Sequence, residues 1–128
     1  MAVEQHRRKL LIVDDLDDYL RSLQAALSRD WHTVCAHSLV EARQRLAEEE
    51  CGIALIDVRL SEVDSANRDG IDLLEWIRER YPSTSVVMMS GYRDYEAAVQ
   101  ALNLGARKYL RKPIDLRELK DVLRSLAG

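Results

Sequence analysis

A chain of 128 residues, 47% of them hydrophobic and 32% charged, with five Gly, two Pro and a formal net charge of −3, has the profile of one globular domain able to bury its own core. The acidic balance argues against a sequence-independent grip on nucleic acid. No apolar stretch reaches membrane-spanning length and the N-terminus lacks the apolar core of a signal peptide, so a cytoplasmic protein with no membrane contact is expected. Cys35 and Cys51 form no CxxC pair and have no His at ligand spacing; they read as buried free thiols in a reducing compartment.

In chain order, His6-Arg7-Arg8-Lys9 is a short basic cluster, read as a solvated arm, and Lys9-Leu10-Leu11-Ile12-Val13 is an apolar run ending in Asp14-Asp15, a first strand. Leu16, Tyr19, Leu20, Leu23 and Leu27 then fall at helical spacing. Trp31 to His37 is rich in β-branched and aromatic residues and reads as a second strand. Ser38 with Glu41 predicts a capping box that opens a second helix, with Leu39, Ala42 and Leu46 inward. That helix closes on Glu48-Glu49-Glu50, whose charges oppose the helix dipole and predict fraying.

Gly52-Ile53-Ala54-Leu55-Ile56-Asp57 is an apolar run that stops abruptly at one carboxylate, as a strand buried on both faces would. Val58 to Asp69 is polar and without period, and is expected to be a long, mobile loop with few apolar anchors. Gly70 opens a third helix with Ile71, Leu74, Ile77 and Tyr81 on one face, barred from continuing by Pro82. Ser85 to Ser90 is a fourth strand. Gly91 allows a tight exit to a fourth helix with Tyr95, Ala98, Val99 and Leu102 at helical spacing, ended by Asn103 and Gly105. Its alanines, Ala97, Ala98 and Ala101, offer little to bury. Lys108 to Arg111 is a short fifth strand. A Lys112-Pro113 turn and an Asp115/Glu118 box lead into a last helix striped by Leu116, Leu119, Val122, Leu123 and Leu126.

Five strands alternating with five helices predict an α/β fold, a doubly wound parallel sheet covered on both faces. In such a sheet ligands bind beyond the carboxyl ends of the strands. The residues delivered there are Asp14, Asp15, Asp57, Ser90 and Lys112. Each alone has a duller reading: loop or N-cap carboxylates, a turn serine, a lysine in water. At successive strand ends they make a site. Clustered carboxylates raise one another's pKa unless a cation intervenes, and an all-oxygen set with room for water favours Mg²⁺. A facing lysine and a serine hydroxyl suit a phosphoryl group, and the ensemble suits an aspartyl phosphate.

From Lys9 to Leu126 the sequence resembles a receiver domain of two-component response regulators, the CheY-like, flavodoxin-like fold. The motifs that carry the resemblance are Leu11-Ile12-Val13-Asp14-Asp15, Ala54-Leu55-Ile56-Asp57, Met88-Met89-Ser90-Gly91-Tyr92, Gly105-Ala106-Arg107-Lys108-Tyr109-Leu110 and Arg111-Lys112-Pro113. The resemblance implies strand order 2-1-3-4-5, the order the flavodoxin-like class is known for, in a single receiver domain with its core at 9–126. It implies that Asp57 accepts a phosphoryl group from a sensor histidine kinase or phosphotransfer protein. Mg²⁺ is then held by Asp15, Asp57 and the Arg59 carbonyl, with Asp14 acting through metal-bound water. It further implies Ser90 and Lys112 as the phosphoryl-sensing hydroxyl and lysine, Tyr109 as the switch aromatic, and a cis Lys112-Pro113 bond. Tyr109 is expected to face solvent before phosphorylation and to turn inward after it. The output face is then helix four, strand five and helix five, serving a downstream output domain or partner, or a phosphorylation-dependent homodimer.

One departure stands out. Ser61 and Glu62 occupy the stretch where the family commonly has Pro, and Asp69-Gly70 comes about five residues late. Two other classes compete with this reading. A pseudo-receiver that works only as an interaction module usually lacks one of the acidic or lysine positions, and none is lost here. A Mg²⁺-dependent phosphatase with an aspartyl nucleophile usually has an acid two residues after it, where this chain has Arg59.

Overall fold

The computed structural model describes residues 8–61, 63–64, 66–91 and 95–127, apart from the Tyr95 side chain. The sequence readings that involve His6, Arg7, Glu62, Ser65 and Tyr92 lie outside these residues.

The elements run β1 (Lys9–Val13), α1 (Asp17–Leu27), β2 (His32–Ala36), α2 (Leu39–Glu48), β3 (Ile53–Asp57), α3 (Asp69–Arg80), β4 (Ser85–Ser90), α4 (Tyr95–Asn103), β5 (Lys108–Arg111) and α5 (Leu116–Ala127). The strands form one sheet in the order β2-β1-β3-β4-β5, and every pair is parallel. The strand alternation sorts the core into two layers. Leu11, Val13, Ala54 and Ile56 face a cluster shared with α2, α3 and α4. Leu10, Ile12, Ile53 and Leu55 face one shared with α1 and α5. All five residues of β3 are buried, which is why its sequence is a continuous apolar run rather than an alternating one.

Three local expectations are corrected. The periodic reading of α4 grouped Ala98 with Val99 and Leu102. The helix instead buries Ala97, Ala98 and Ala101, while Val99 and Leu102 are 42% and 46% exposed. Small side chains let the helix lie close over β4 and β5, and that contact selects the alanine face over the more hydrophobic one. Leu116, counted in the α5 stripe, is 42% exposed at the start of its helix. The capping box of α2 is shifted by one residue. Ser38 Oγ accepts the Glu41 N–H at 3.1 Å, but the Glu41 carboxylate accepts the N–H of His37, not of Ser38, at 2.6 Å. The acidic end of α2 has a partner as well, since Glu49 lies 3.3 Å from the Lys9 ammonium. Among the described residues no helix is long and apolar enough to cross a membrane. Both cysteines are free, Cys51 buried and Cys35 half-buried.

Candidate functional site

The parallel register builds the site. Val13 pairs with Ile56, so the next residues, Asp14 and Asp57, emerge side by side. Asp57 pairs with Met89, and Ser90 with Arg111, which puts Ser90 and Lys112 one step beyond on the same edge. The ladder continues past the formal strand ends through Asp14 N–H to Ala36 O (3.1 Å), Val58 N–H to Met89 O (2.9 Å) and Lys112 N–H to Ser90 O (2.8 Å). The functional side chains therefore leave from hydrogen-bonded backbone.

Lys112 Nζ donates to Asp57 Oδ2 at 2.7 Å and to Asp14 Oδ2 at 2.9 Å. Asp14 is fully buried and Asp57 is 7% exposed. Carboxylate oxygens of Asp14, Asp15 and Asp57 lie within 4.8 Å of one another. The Arg59 N–H donates to Asp57 Oδ1 at 3.2 Å, and the Leu16 N–H to Asp14 Oδ1 at 2.9 Å. Burial pushes the Asp57 carboxyl up to about 6; Lys112 pulls it down and Asp14 adds to the rise. Burial disfavours the Lys112 ammonium, but its two carboxylate partners outweigh that and hold its pKa above the ordinary value. A cleft of about 200 Å³ opens over Asp57, walled by Asp15, Leu16, Arg59, Ser61, Gly91 and Lys112. The donor set is all oxygen, partly open and too negative for one lysine to neutralise, which fits a hard divalent cation.

Ser90 ends β4 on this same edge. It is fully buried, and its hydroxyl is 2.6 Å from the Tyr109 hydroxyl and 3.3 Å from the Gly91 carbonyl that it donates to. The expectation of a solvent-facing Tyr109 in the phosphate-free chain is therefore corrected. The ring is half-buried against the α2–α4 layer, because a buried hydroxyl needs a partner and Tyr109 supplies one. The Lys112-Pro113 peptide bond is cis.

The enlarged β3–α3 loop is also better tied than its polarity suggested. Val58 and Leu60 are buried. Asn67 Oδ1 accepts the Leu60 N–H at 2.9 Å and the Asp69 N–H at 3.0 Å, drawing the two ends of the loop together. Ser61 Oγ and Asp64 Oδ1 accept the Asp64 and Ala66 N–H groups. Asn67→Ala strips two backbone donors of their acceptor and is expected to cost about 1–3 kcal/mol. Urea unfolding, with amide exchange at Leu60 and Asp69, measures this; unchanged protection at both would mean the clasp does not form.

Two more residues, read in the sequence only as parts of helices, shape the site. Gly70 begins α3 directly behind β3; a Cβ there would lie 2.0 Å from the Asp57 carbonyl oxygen and 2.7 Å from Val58 Cα. Tyr19 of α1 turns its ring to Lys112 Nζ, 4.4 Å from the centroid, and its hydroxyl accepts the Ile114 N–H at 3.3 Å.

The family profile of the response regulator receiver domain matches residues 10–124. The chain belongs to that family. It is 38% identical over 118 residues to the response regulator protein PilR of Pseudomonas aeruginosa, covering 91% of this chain and 25% of that protein. It is 33% identical over 117 residues to the photosynthetic apparatus regulatory protein RegA of Cereibacter sphaeroides, covering 91% and 61%. The receiver domain of NtrX from Brucella abortus superposes with a TM-score of 0.81 at 29% identity, covering 91% of this chain and 96% of that one. A receiver domain of an HD domain-containing protein from Pseudomonas fluorescens gives 0.83 at 32% identity, covering 94% and 86%. This receiver thus spans about a quarter of PilR and under two thirds of RegA.

Proposed function

We propose that this receiver is a phosphoacceptor: Asp57 takes a phosphoryl group from a sensor histidine kinase or phosphotransfer protein, and the acyl phosphate changes the surface the domain shows its partners. The observation that carries the reading is the Lys112 ammonium bridging Asp57 and Asp14 at the floor of an open cleft. A module that only binds partners has no need of a half-buried lysine held between two buried carboxylates.

An Asp57 oxygen forms the new O–P bond as the P–N bond of the donor phosphohistidine breaks, and the bonding pair returns to the imidazole nitrogen. With its pKa near 6, the carboxylate is mostly ionised and nucleophilic at neutral pH. Lys112 moves from Asp57 to a phosphoryl oxygen, countering the charge on the transferring group. Hydrolysis by water at phosphorus later breaks the O–P bond, restoring the carboxylate and releasing inorganic phosphate. Asp15, Asp57 and the Arg59 carbonyl would hold Mg²⁺, with Asp14 acting through an intervening water. Bound there, the cation neutralises the carboxylates and polarises the phosphoryl oxygens. The domain is accordingly a signalling unit, one receiver with its core at 9–126 working in the cytoplasm, that catalyses only its own phosphorylation and dephosphorylation.

For output, the phosphoryl oxygens compete with Tyr109 for the Ser90 hydroxyl. Breaking the Ser90–Tyr109 bond frees the ring and reshapes the α4-β5-α5 face, which serves an output domain, a partner or a second phosphorylated copy. An equilibrium shifts only as far as such contacts differ between the two states.

Incubating the chain with acetyl phosphate and Mg²⁺ tests the reading by intact mass. The expected result is stoichiometric gain of one phosphoryl group, lost when Mg²⁺ is chelated. No gain supports an interaction module, continuous turnover of the donor supports a phosphatase, and undiminished labelling in chelator overturns the metal assignment.

A further inference from the structure

We propose that Tyr19 is a positioning residue for phosphoryl transfer, one aromatic side chain of α1 that holds the Lys112 ammonium in the site. The inference rests on the phosphoacceptor reading and extends it to a residue outside the acidic and lysine set.

Lysine carries its charge on a flexible four-carbon stem and binds as a point charge, with three donors that can rotate. Two directions of the Lys112 ammonium are taken, by Asp57 Oδ2 and Asp14 Oδ2. Tyr19 presents its ring face to the ammonium, 4.4 Å from the ring centroid, a distance at which the ring quadrupole attracts a cation. The ring is itself anchored. Its hydroxyl accepts the Ile114 N–H at 3.3 Å, two residues beyond the lysine it supports, and its edge packs on the apolar layer between α1 and α5. Tyr19 thus spans the Lys112–Ile114 turn, touching the side chain at one end and the backbone at the other.

The kind of contact matters to the chemistry. During transfer Lys112 has to leave Asp57 Oδ2 for a phosphoryl oxygen while the charge in front of it changes. A hydrogen-bond acceptor behind the ammonium would have to be broken for that movement. A ring face has no single direction of attraction, so the ammonium can move across it and still be kept from bulk water. Tyr19 touches neither donor nor phosphorus; it acts through Lys112.

The test compares Tyr19→Phe, which keeps the ring and removes the hydroxyl, with Tyr19→Leu and Tyr19→Met, which remove the ring and keep an apolar side chain. All are made in the full 128-residue chain, with acetyl phosphate and Mg²⁺. The maximal labelling rate is expected to fall about tenfold in the Leu and Met variants and to stay within about threefold of wild type in Phe. The Mg²⁺ concentration for half-maximal rate should be unchanged in all three. A second readout needs no activity: the ring current should shift the Lys112 Hε protons upfield in wild type and Phe, and the shift should vanish in Leu and Met. Whichever aliphatic variant folds suffices. Wild-type labelling rates in it, or Lys112 Hε resonances that do not differ between it and Phe, would overturn the proposal alone. A wild-type chain that gains no phosphoryl group would overturn the phosphoacceptor reading and this proposal with it, and the two failures are told apart by the wild-type sample.

Discussion

Replacing Asp57 with Asn is expected to give a folded chain that takes up no phosphoryl group and is more stable than wild type at about pH 8. The amide keeps the shape of the carboxylate but is not a comparable nucleophile, so labelling should fall to background; a mass gain equal to wild type would mean that another residue is the acceptor. The stability gain follows from burial. The Asp57 carboxyl, whose ordinary pKa is 3.8, titrates at about 6 in the folded chain. The folded state therefore holds its proton more tightly than the unfolded state does. That contribution to stability is fully present below 3.8 and is lost as pH rises through about 6. Above that, the fold carries an ionised buried carboxylate at a cost of up to about 3 kcal/mol, and Asn removes the charge. The expected gain is about 1–3 kcal/mol, because Lys112 loses one partner while keeping Asp14. Urea unfolding at about pH 4 and pH 8 should show the two proteins converging in acid. Mg²⁺ should narrow the gap at high pH by stabilising wild type more than the variant. A variant less stable than wild type at both pH values would sink this account of Asp57.

Gly70→Ala has the other large effect, and it is structural. The added Cβ would stand 2.0 Å from the Asp57 carbonyl oxygen and 2.7 Å from both Val58 Cα and Val58 O. These are backbone atoms of the strand end, not flexible side-chain tips. The Gly70 N–H donates to Val58 O at 2.9 Å, so relief requires α3 to lift off β3 and this bond to break. The expected loss is about 3 kcal/mol or more, at the upper end for overpacking, together with slower labelling because the displaced backbone carries Asp57. Gly52→Ala is the control. Nothing lies within 4 Å of its added Cβ, and it should change stability by less than about 1 kcal/mol. Equal midpoints for the two variants would show that α3 and β3 are not in close contact.

The strands were legible because burial on both faces writes itself as unbroken apolar runs, with β3 the clearest case; their order came from the family resemblance. Once the sheet was parallel, the convergence of Asp14, Asp57 and Lys112 followed from topology without knowledge of side chains. What periodicity could not supply was which neighbour a face meets. Tyr19 read as one apolar position in the stripe of α1, and only the turn after Lys112, brought over it by the fold, makes it a contact to the lysine. In α4 the hydropathy of Val99 and Leu102 outweighed the three alanines, whereas the fold selected for closeness of packing. Asn67 looked like loop composition: its bond from the Asp69 N–H two residues on is the local kind any loop Asn makes, and nothing in the sequence marks the one from Leu60, seven residues back. Ser90 and Tyr109 lie on separate strands, and their hydrogen bond belongs to the register between β4 and β5.

The Asn67 clasp changes what the enlarged loop means for chain length. By joining Leu60 to Asp69, it seals the strand end and the helix start from whatever lies between them. The closure entropy of a flexible loop grows only with the logarithm of its length, about 0.6 kcal/mol for each doubling. Residues added outside the clasp therefore burden the fold little and leave Asp57 where the sheet puts it. Between the clasped ends, reach and sequence can vary beside Asp57 while the sheet stays in register.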